Sequence, residues 1–160
     1  MTVPAKLLCL ALVIDRQGGR ILLGHKLRGI GMGKIVGLGG HLEPGETARA
    51  AAARELEEES GLVVPEAALV EVARVWFDFA SPDWPPFDVA VFTADTWTGE
   101  IRDCDEIEPA WYRLDALPWE RMWDDNRIWL PHVLRGEAVD TRIGYDLSGE
   151  RVVSVQLTVR

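Results

Sequence analysis

The sequence predicts an α+β domain in which helices pack on both sides of a mixed β-sheet. Apolar, β-branched runs recur along the chain, separated by glycine- and proline-rich turns. Only two segments have the composition of helices, and they stand between groups of strands. A doubly wound parallel sheet would instead alternate strand and helix one for one. At 160 residues the chain fits one domain, taken as residues 1–160, and can bury a substantial core.

The elements follow in order. Leu7–Ile14 is an apolar run ending at Asp15-Arg16, and it lacks the small-residue cleavage site of a signal peptide, so a buried first strand is expected. The turn Asp15-Arg16-Gln17-Gly18-Gly19 leads to a partner strand, Ile21–Leu23. From Gly29 through Gly45 glycines are dense, which predicts loops, or backbone that approaches something closely. This stretch lacks the GK[ST] ending of a P-loop, and no helix follows a GxGxxG pattern in it. Thr47–Ser60 is the clearest helix, Ala-rich and stopped by Gly61. Leu69–Phe79 and Phe87–Thr96 predict two strands joined by the proline-rich loop Ser81–Pro86. Trp111–Leu114 predicts a short strand. A second helix is expected from Asp124 or Asp125 to about Arg135, interrupted or bent at Pro131. Thr141–Leu147 and Arg151–Val159 close the chain as a hairpin.

Composition removes several functions. Lys and Arg total 17 against 26 Asp and Glu, a net charge of −9, which argues against sequence-independent binding to DNA or RNA. No apolar run reaches the ~18–20 residues of a membrane span. The two cysteines, Cys9 and Cys104, make no disulfide framework and have no metal-ligand spacing, so a reducing, cytoplasmic setting is expected. Oligomeric state is left open, with a monomer slightly favoured.

The chemistry lies in Arg54-Glu55-Leu56-Glu57-Glu58-Glu59. Glu55, Glu58 and Glu59 are spaced by three and four residues, so their carboxylates share one helix face. Like charges at this spacing repel by a few tenths of a kcal/mol per pair, and near a helix C-terminus the dipole also disfavours them. A solvated acidic face is the ordinary explanation of such a run. A hard divalent cation bound through carboxylate oxygens is the functional one.

The surroundings decide between them. Residues 40–62 read GHLEPGETARAAAARELEEESGL, with Gly40, Glu46, Arg54, Glu55, Leu56, Glu58, Glu59, Gly61 and Leu62 in the spacing of the Nudix signature. The chain thus resembles the Nudix hydrolases. That resemblance implies an α/β/α sandwich with a catalytic loop–helix–loop, which uses Mg²⁺ or Mn²⁺ to hydrolyse nucleoside diphosphates linked to another group. It casts Glu55, Glu58 and Glu59 as metal ligands, with Gly40 adding a backbone carbonyl. Glu55 would contact or deprotonate the attacking water. Arg54 would neutralise and orient a glutamate, Glu46 and Gly45 would hold the loop, and Gly61 would end the helix. Glu57 falls on the solvated side.

The resemblance extends from about Leu7 to Val159, through ILLGHKLRGIGMGK, VWFDF, DVAVFTAD and DEIEPAWYRLDALPWERMWDD. Over that length the chain is similar to the Nudix enzymes that convert oxidised purine nucleoside triphosphates, of the 8-oxo-dGTP and 2-hydroxy-dATP type, to monophosphate and pyrophosphate. This implies a small nucleotide substrate and a role in sanitising the nucleotide pool. Lys26 becomes a phosphate or sugar contact. Phe77, Phe79, Trp123 and Trp129 become pocket lining, with Trp123 stacking on the purine. Glu106, in an acidic loop, becomes an extra metal ligand or base. The alternative for Phe77 and Phe79 is core packing alone.

Two departures bear on the base. Val36 stands where those enzymes have a base-binding asparagine, and Ile35 where they usually have tryptophan. Their Pro-Asp-Asp after the stacking tryptophan is here Asp124-Asp125-Asn126. Aligning on Trp129 and Pro131 makes Asp125 and Asn126 the base-reading pair, whereas a one-residue slip makes it Asp124 and Asp125. A helix N-cap is the purely structural alternative for the acids. Three functions therefore stand at this level: an oxidised-purine triphosphatase, a Nudix hydrolase of another nucleotide such as ADP-ribose, or a non-catalytic binding module.

Overall fold

The computed structural model describes residues 3–160, and these contain nine strands, two α-helices and two short 3-10 helices. Strand β1 (Lys6–Asp15) is central. It runs parallel to β6 (Phe87–Ala94) on one edge; on the other its first half pairs with β4 (Leu38–His41) and its end with β2 (Arg20–Lys26), both antiparallel. Outward from β2 lie β3 (Ile35–Val36) and β7 (Ile107–Arg113). Beyond β6 come β5 (Val70–Phe79), β8 (Val139–Tyr145) and β9 (Val152–Val159), with β5 and β8 parallel. The sheet is mixed, as expected.

Period-two alternation along β1 builds a core on each face. Cys9, Ala11 and Val13 join Ala51, Ala52 and Leu56 of α1 (Ala48–Ser60) in one core. Leu12 and Ile14 join Trp129, Leu130 and Val133 of α2 (Asn126–Leu134) in the other. Helix α1 packs through alanines, so its backbone lies close to β4 and β1. Thr47 caps its start by accepting from the Ala50 amide at 3.1 Å, and Gly61 ends it at φ 83° with its N–H donating to the Glu57 carbonyl.

Two expectations are corrected, and the glycine-dense stretch takes both of the forms expected of it: Gly29, Gly31, Gly33 and Gly45 have positive φ and make turns, whereas Gly39 and Gly40 form strand β4 in close approach to β1. A Cβ on Gly39 would lie 1.9 Å from the Cys9 carbonyl oxygen, so here glycine provides strand contact rather than a bend. The strand expected at Trp111–Leu114 runs Ile107–Arg113, because β2 pairs with its whole length from Lys26 to Arg20. Helix α2 continues through Pro131, its sixth residue. In so short a helix only the Arg127 carbonyl loses its usual partner.

Gly39→Ala is therefore expected to lose at least about 3 kcal/mol of stability, since backbone and not a side chain must give way. Gly19→Ala, in an open turn at φ 67°, should lose only ~1–2 kcal/mol. Urea midpoints of the two variants check this, and equal losses would contradict the packing described.

Candidate active site

Burying Ala51, Ala52 and Leu56 fixes the rotation of α1 and turns Glu55 and Glu59 towards the glycine strand β4. Glu59 is 5% exposed, and its Oε1 accepts from the Gly39 amide at 2.8 Å. Burial, with Glu55 nearby, pushes its pKa up to about 7, against the pull of the Gly39 hydrogen bond and of Lys26. Glu55 is also raised, chiefly by burial, although Arg54 pulls it down. Gly40 makes room beside it: a Cβ there would lie 2.9 Å from Glu55 Oε1. The Gly40 carbonyl accepts from the Cys9 thiol at 3.6 Å, and burial raises that thiol to about 11, so Cys9 stays protonated.

Arg54 organises the rim. Its Nε and Nη2 donate to the two oxygens of Glu46 at 2.7 and 2.9 Å, and its Nη1 reaches Glu55 at 3.0 Å and Glu58 at 3.2 Å. The guanidinium holds Glu46 down to about 2, first through its hydrogen bonds. Glu46 in turn accepts from the Glu43 amide at 2.9 Å, which ties the entry loop to α1. Glu58 is more than half exposed, and Glu57 points to solvent. Glu106, on the loop before β7, is exposed and 3.4 Å from Arg28, yet its charge still raises both Glu55 and Glu59.

The donors suit a hard divalent cation. They are carboxylate oxygens, more numerous than the one arginine neutralises, and one of them is an acid buried without a counter-ion in contact. Among the described residues no three His, Cys, Asp or Glu side chains form a closed cation cage. Glu55 and Glu58 instead share the Arg54 guanidinium.

A cavity of about 600 Å³ opens from the Gly39–Gly40 backbone. Lys26, Phe77, Phe79, Trp123 and Trp129 all line it, as do Asp125 and Asn126. Phe77 and Phe79 stand on one side of β5 and pack with Tyr145 at ring-centroid distances of 6.0 and 5.9 Å. Asp125 is buried between Trp129 Nε1, which donates to its Oδ2 at 2.7 Å, and the Tyr145 hydroxyl, which donates to Oδ1. Burial raises its pKa. Although it precedes α2, its side chain caps nothing. Asp124 lies outside the lining: its carboxylate accepts from the Val152 amide at 2.9 Å. The cavity-facing pair is therefore Asp125 and Asn126, the register set by Trp129 and Pro131. Val36 is among the lining residues and packs against the α1-side core, and Ile35 is fully buried.

Sequence reasoning missed Tyr145 and the hairpin tip Asp146–Glu150, which form a wall of the cavity. Their only signal was a turn. A shallower groove on the outer face of β5, β8 and β9 holds Arg74 and Arg142, both already paired, with Asp88 at 2.9 Å and Asp78 at 2.6 Å.

The model of the NUDIX domain matches residues 7–133, and the chain belongs to this family. It is a Nudix hydrolase, a class that generally needs a divalent metal ion. Among its relatives is the oxidized purine nucleoside triphosphate hydrolase of Danio rerio, 44% identical over 131 residues, which are 82% of this chain and 81% of that protein. The enzyme of the same name from Mus musculus is 40% identical over 132 residues, with the same coverage. A MutT NUDIX hydrolase from Burkholderia pseudomallei superposes with TM-score 0.71 at 28% identity, over 82% of this chain and 99% of that one. The mutator MutT protein from Bacillus halodurans shares the fold, with TM-score 0.82 at 21% identity over 95% and 97% of the two chains.

A carboxylic acid whose pKa rises on folding, as Glu59's does from an ordinary ~4.3 to about 7, supports the fold below the lower value. That support is lost as pH rises through the higher one. Metal-free protein in EDTA should therefore melt lower at pH 8 than at pH 5.5. Glu59→Gln, which keeps an acceptor for the Gly39 amide, should reduce that difference, leaving the part that belongs to Glu55 and Asp125, which burial also raises. Thermal melts of the two proteins check it, and parallel pH dependence would contradict the assignment.

Proposed function

We propose that this chain hydrolyses oxidised purine nucleoside triphosphates of the 8-oxo-dGTP type to monophosphate and pyrophosphate, and so clears damaged nucleotides from the pool. The observation that carries the reading is an aromatic cavity with a buried acid whose wall includes the Gly39–Gly40 backbone, the same strand against which Glu59 and Glu55 of α1 are seated. The names of the Danio rerio and Mus musculus relatives favour the same substrate class.

Glu55, Glu58, Glu59 and the Gly40 carbonyl would hold Mg²⁺ or Mn²⁺. Such an ion neutralises phosphate oxygens and makes bound water a better nucleophile at neutral pH. The chain does the rest. Lys26 faces the cavity beside Glu59 and draws the polyphosphate towards α1. Arg54 holds Glu55 in place, and Glu55, raised by burial, takes the proton of the attacking water; Glu106 is the second candidate for that proton. Trp123 offers a flat face for the purine, a contact worth ~1–3 kcal/mol. Asp125 keeps an acid at the base edge, held by Trp129 and Tyr145 so that it need not reorient on binding.

A second reading has one observation behind it. Val36, whose side chain offers no hydrogen-bonding amide, is among the lining residues, and Asn126 donates from Nδ2 to the Trp123 carbonyl at 3.1 Å. A site that lacks a base-reading partner discriminates less, which would favour a broader nucleotide range. A binding module without catalysis finds no support, because every carboxylate of the signature is present.

Pyrophosphate release with Mg²⁺ from 8-oxo-dGTP, 2-hydroxy-dATP, dGTP, dATP and ADP-ribose separates the readings. The expected result is at least a tenfold preference in kcat/KM for an oxidised purine. Asp125→Asn should reduce that value by about 10–100-fold, as loss of a buried acid partner costs ~1–3 kcal/mol. Flat or ADP-ribose-favouring turnover would overturn the substrate while leaving the family unchanged.

A further inference from the structure

The β8–β9 hairpin lies beyond the residues that the family model matches, yet its tip closes one side of the cavity. Two contacts tie it to the residues just after Trp123: the Tyr145 hydroxyl on Asp125, and the Val152 amide on Asp124. A third involves Trp123 itself. Lys34 Nζ lies 4.6 Å from the centroid of the Trp123 ring and 2.9 Å from Glu150 Oε2 at the hairpin tip. Lys34 is mostly covered, with 22% of its side chain exposed, unlike an ordinary surface lysine. Gly31 approaches the same indole so closely that a Cβ would meet its Cζ2 at 3.0 Å, and Tyr145 stands edge-on to it at 6.4 Å.

The ammonium over the indole fixes a ring that lines the cavity and on which a flat base can stack. The same ammonium is bonded to a carboxylate from the opposite wall, so the tryptophan, the loop carrying Lys34 and the hairpin tip are held as one unit. We propose that Lys34 and Glu150 form a clasp that fixes Trp123 and the hairpin tip, so that Lys34 is a positioning residue for binding of the base. It acts through Trp123 and touches neither phosphate nor metal. The proposal rests on the reading of this cavity as the base site.

The test is steady-state kinetics of Lys34→Met, Lys34→Arg, Glu150→Gln and the Lys34→Met/Glu150→Gln double variant, on whichever nucleotide of the panel the wild type turns over best. Lys34→Met should raise KM about five- to twentyfold, the scale of a weakened stacking contact and a lost cation–π pair, with kcat within twofold. Lys34→Arg should restore KM to within about twofold. Glu150→Gln should raise KM less than Lys34→Met, and the double variant should be no worse than Lys34→Met alone, because both act through one contact. Unchanged KM in Lys34→Met, a fall in kcat at constant KM, or full additivity of the two substitutions would overturn the clasp. Thermal melts show whether a variant is folded, and Glu150→Gln, on an exposed tip, reports on the clasp if Lys34→Met does not fold. A wild type without oxidised-purine preference would sink the substrate assignment, whereas the KM comparison would still decide the clasp.

Discussion

The site depends on one buried carboxylate. Glu59 is drawn into the seam between α1 and β4 by a single backbone hydrogen bond, and Arg54 satisfies its neighbours rather than Glu59 itself. A charge in that position is costly unless it is neutralised by a proton or by a cation. The same contact explains several local features. Gly39 must lack a side chain so that β4 can lie against β1. Alanines must cover α1 so that the helix can approach, and Gly61 must end the helix before the next loop. The acidic face is therefore part of how the helix is seated.

The carboxylates of α1 and the aromatic cavity are supported from opposite faces of the same sheet. The core beneath α1 positions the carboxylates. The core beneath α2 positions Trp129, and through it Asp125. They meet around the first half of β1, where the cavity passes from glycine backbone to aromatic rings. This division separates the side chains that seat the acidic helix from those that line the aromatic end of the cavity. The hairpin tip extends the principle, since it shapes the chamber from outside the segment the family model covers.

How much the sequence revealed follows from how local each signal is. The acidic helix was legible because its carboxylates, its alanine-rich body and its stop at Gly61 lie within one short segment. The long strands were legible from their apolar runs, with ends misplaced by a few residues. Strand β4 was hidden because what makes Gly39 extended is the Cys9 carbonyl on another strand. The order of Asp124, Asp125 and Asn126 stayed ambiguous because Trp129 and Tyr145 choose which acid is buried, and Tyr145 lies 20 residues away. The pairing of Lys34 with Glu150 spans 116 residues and leaves no pattern in either neighbourhood.

The most direct measurement of the central claim is calorimetric titration of the protein with Mn²⁺ at pH 7, repeated in buffers of different ionisation enthalpy. If Glu59, poised near 7, is the carboxylate that a cation must claim, binding releases about half a proton at pH 7 and almost none by pH 9. The Glu59→Gln protein then binds weakly and without proton release. Tight binding by the wild type with no proton release, or unchanged binding by the Glu59→Gln protein, would contradict the account.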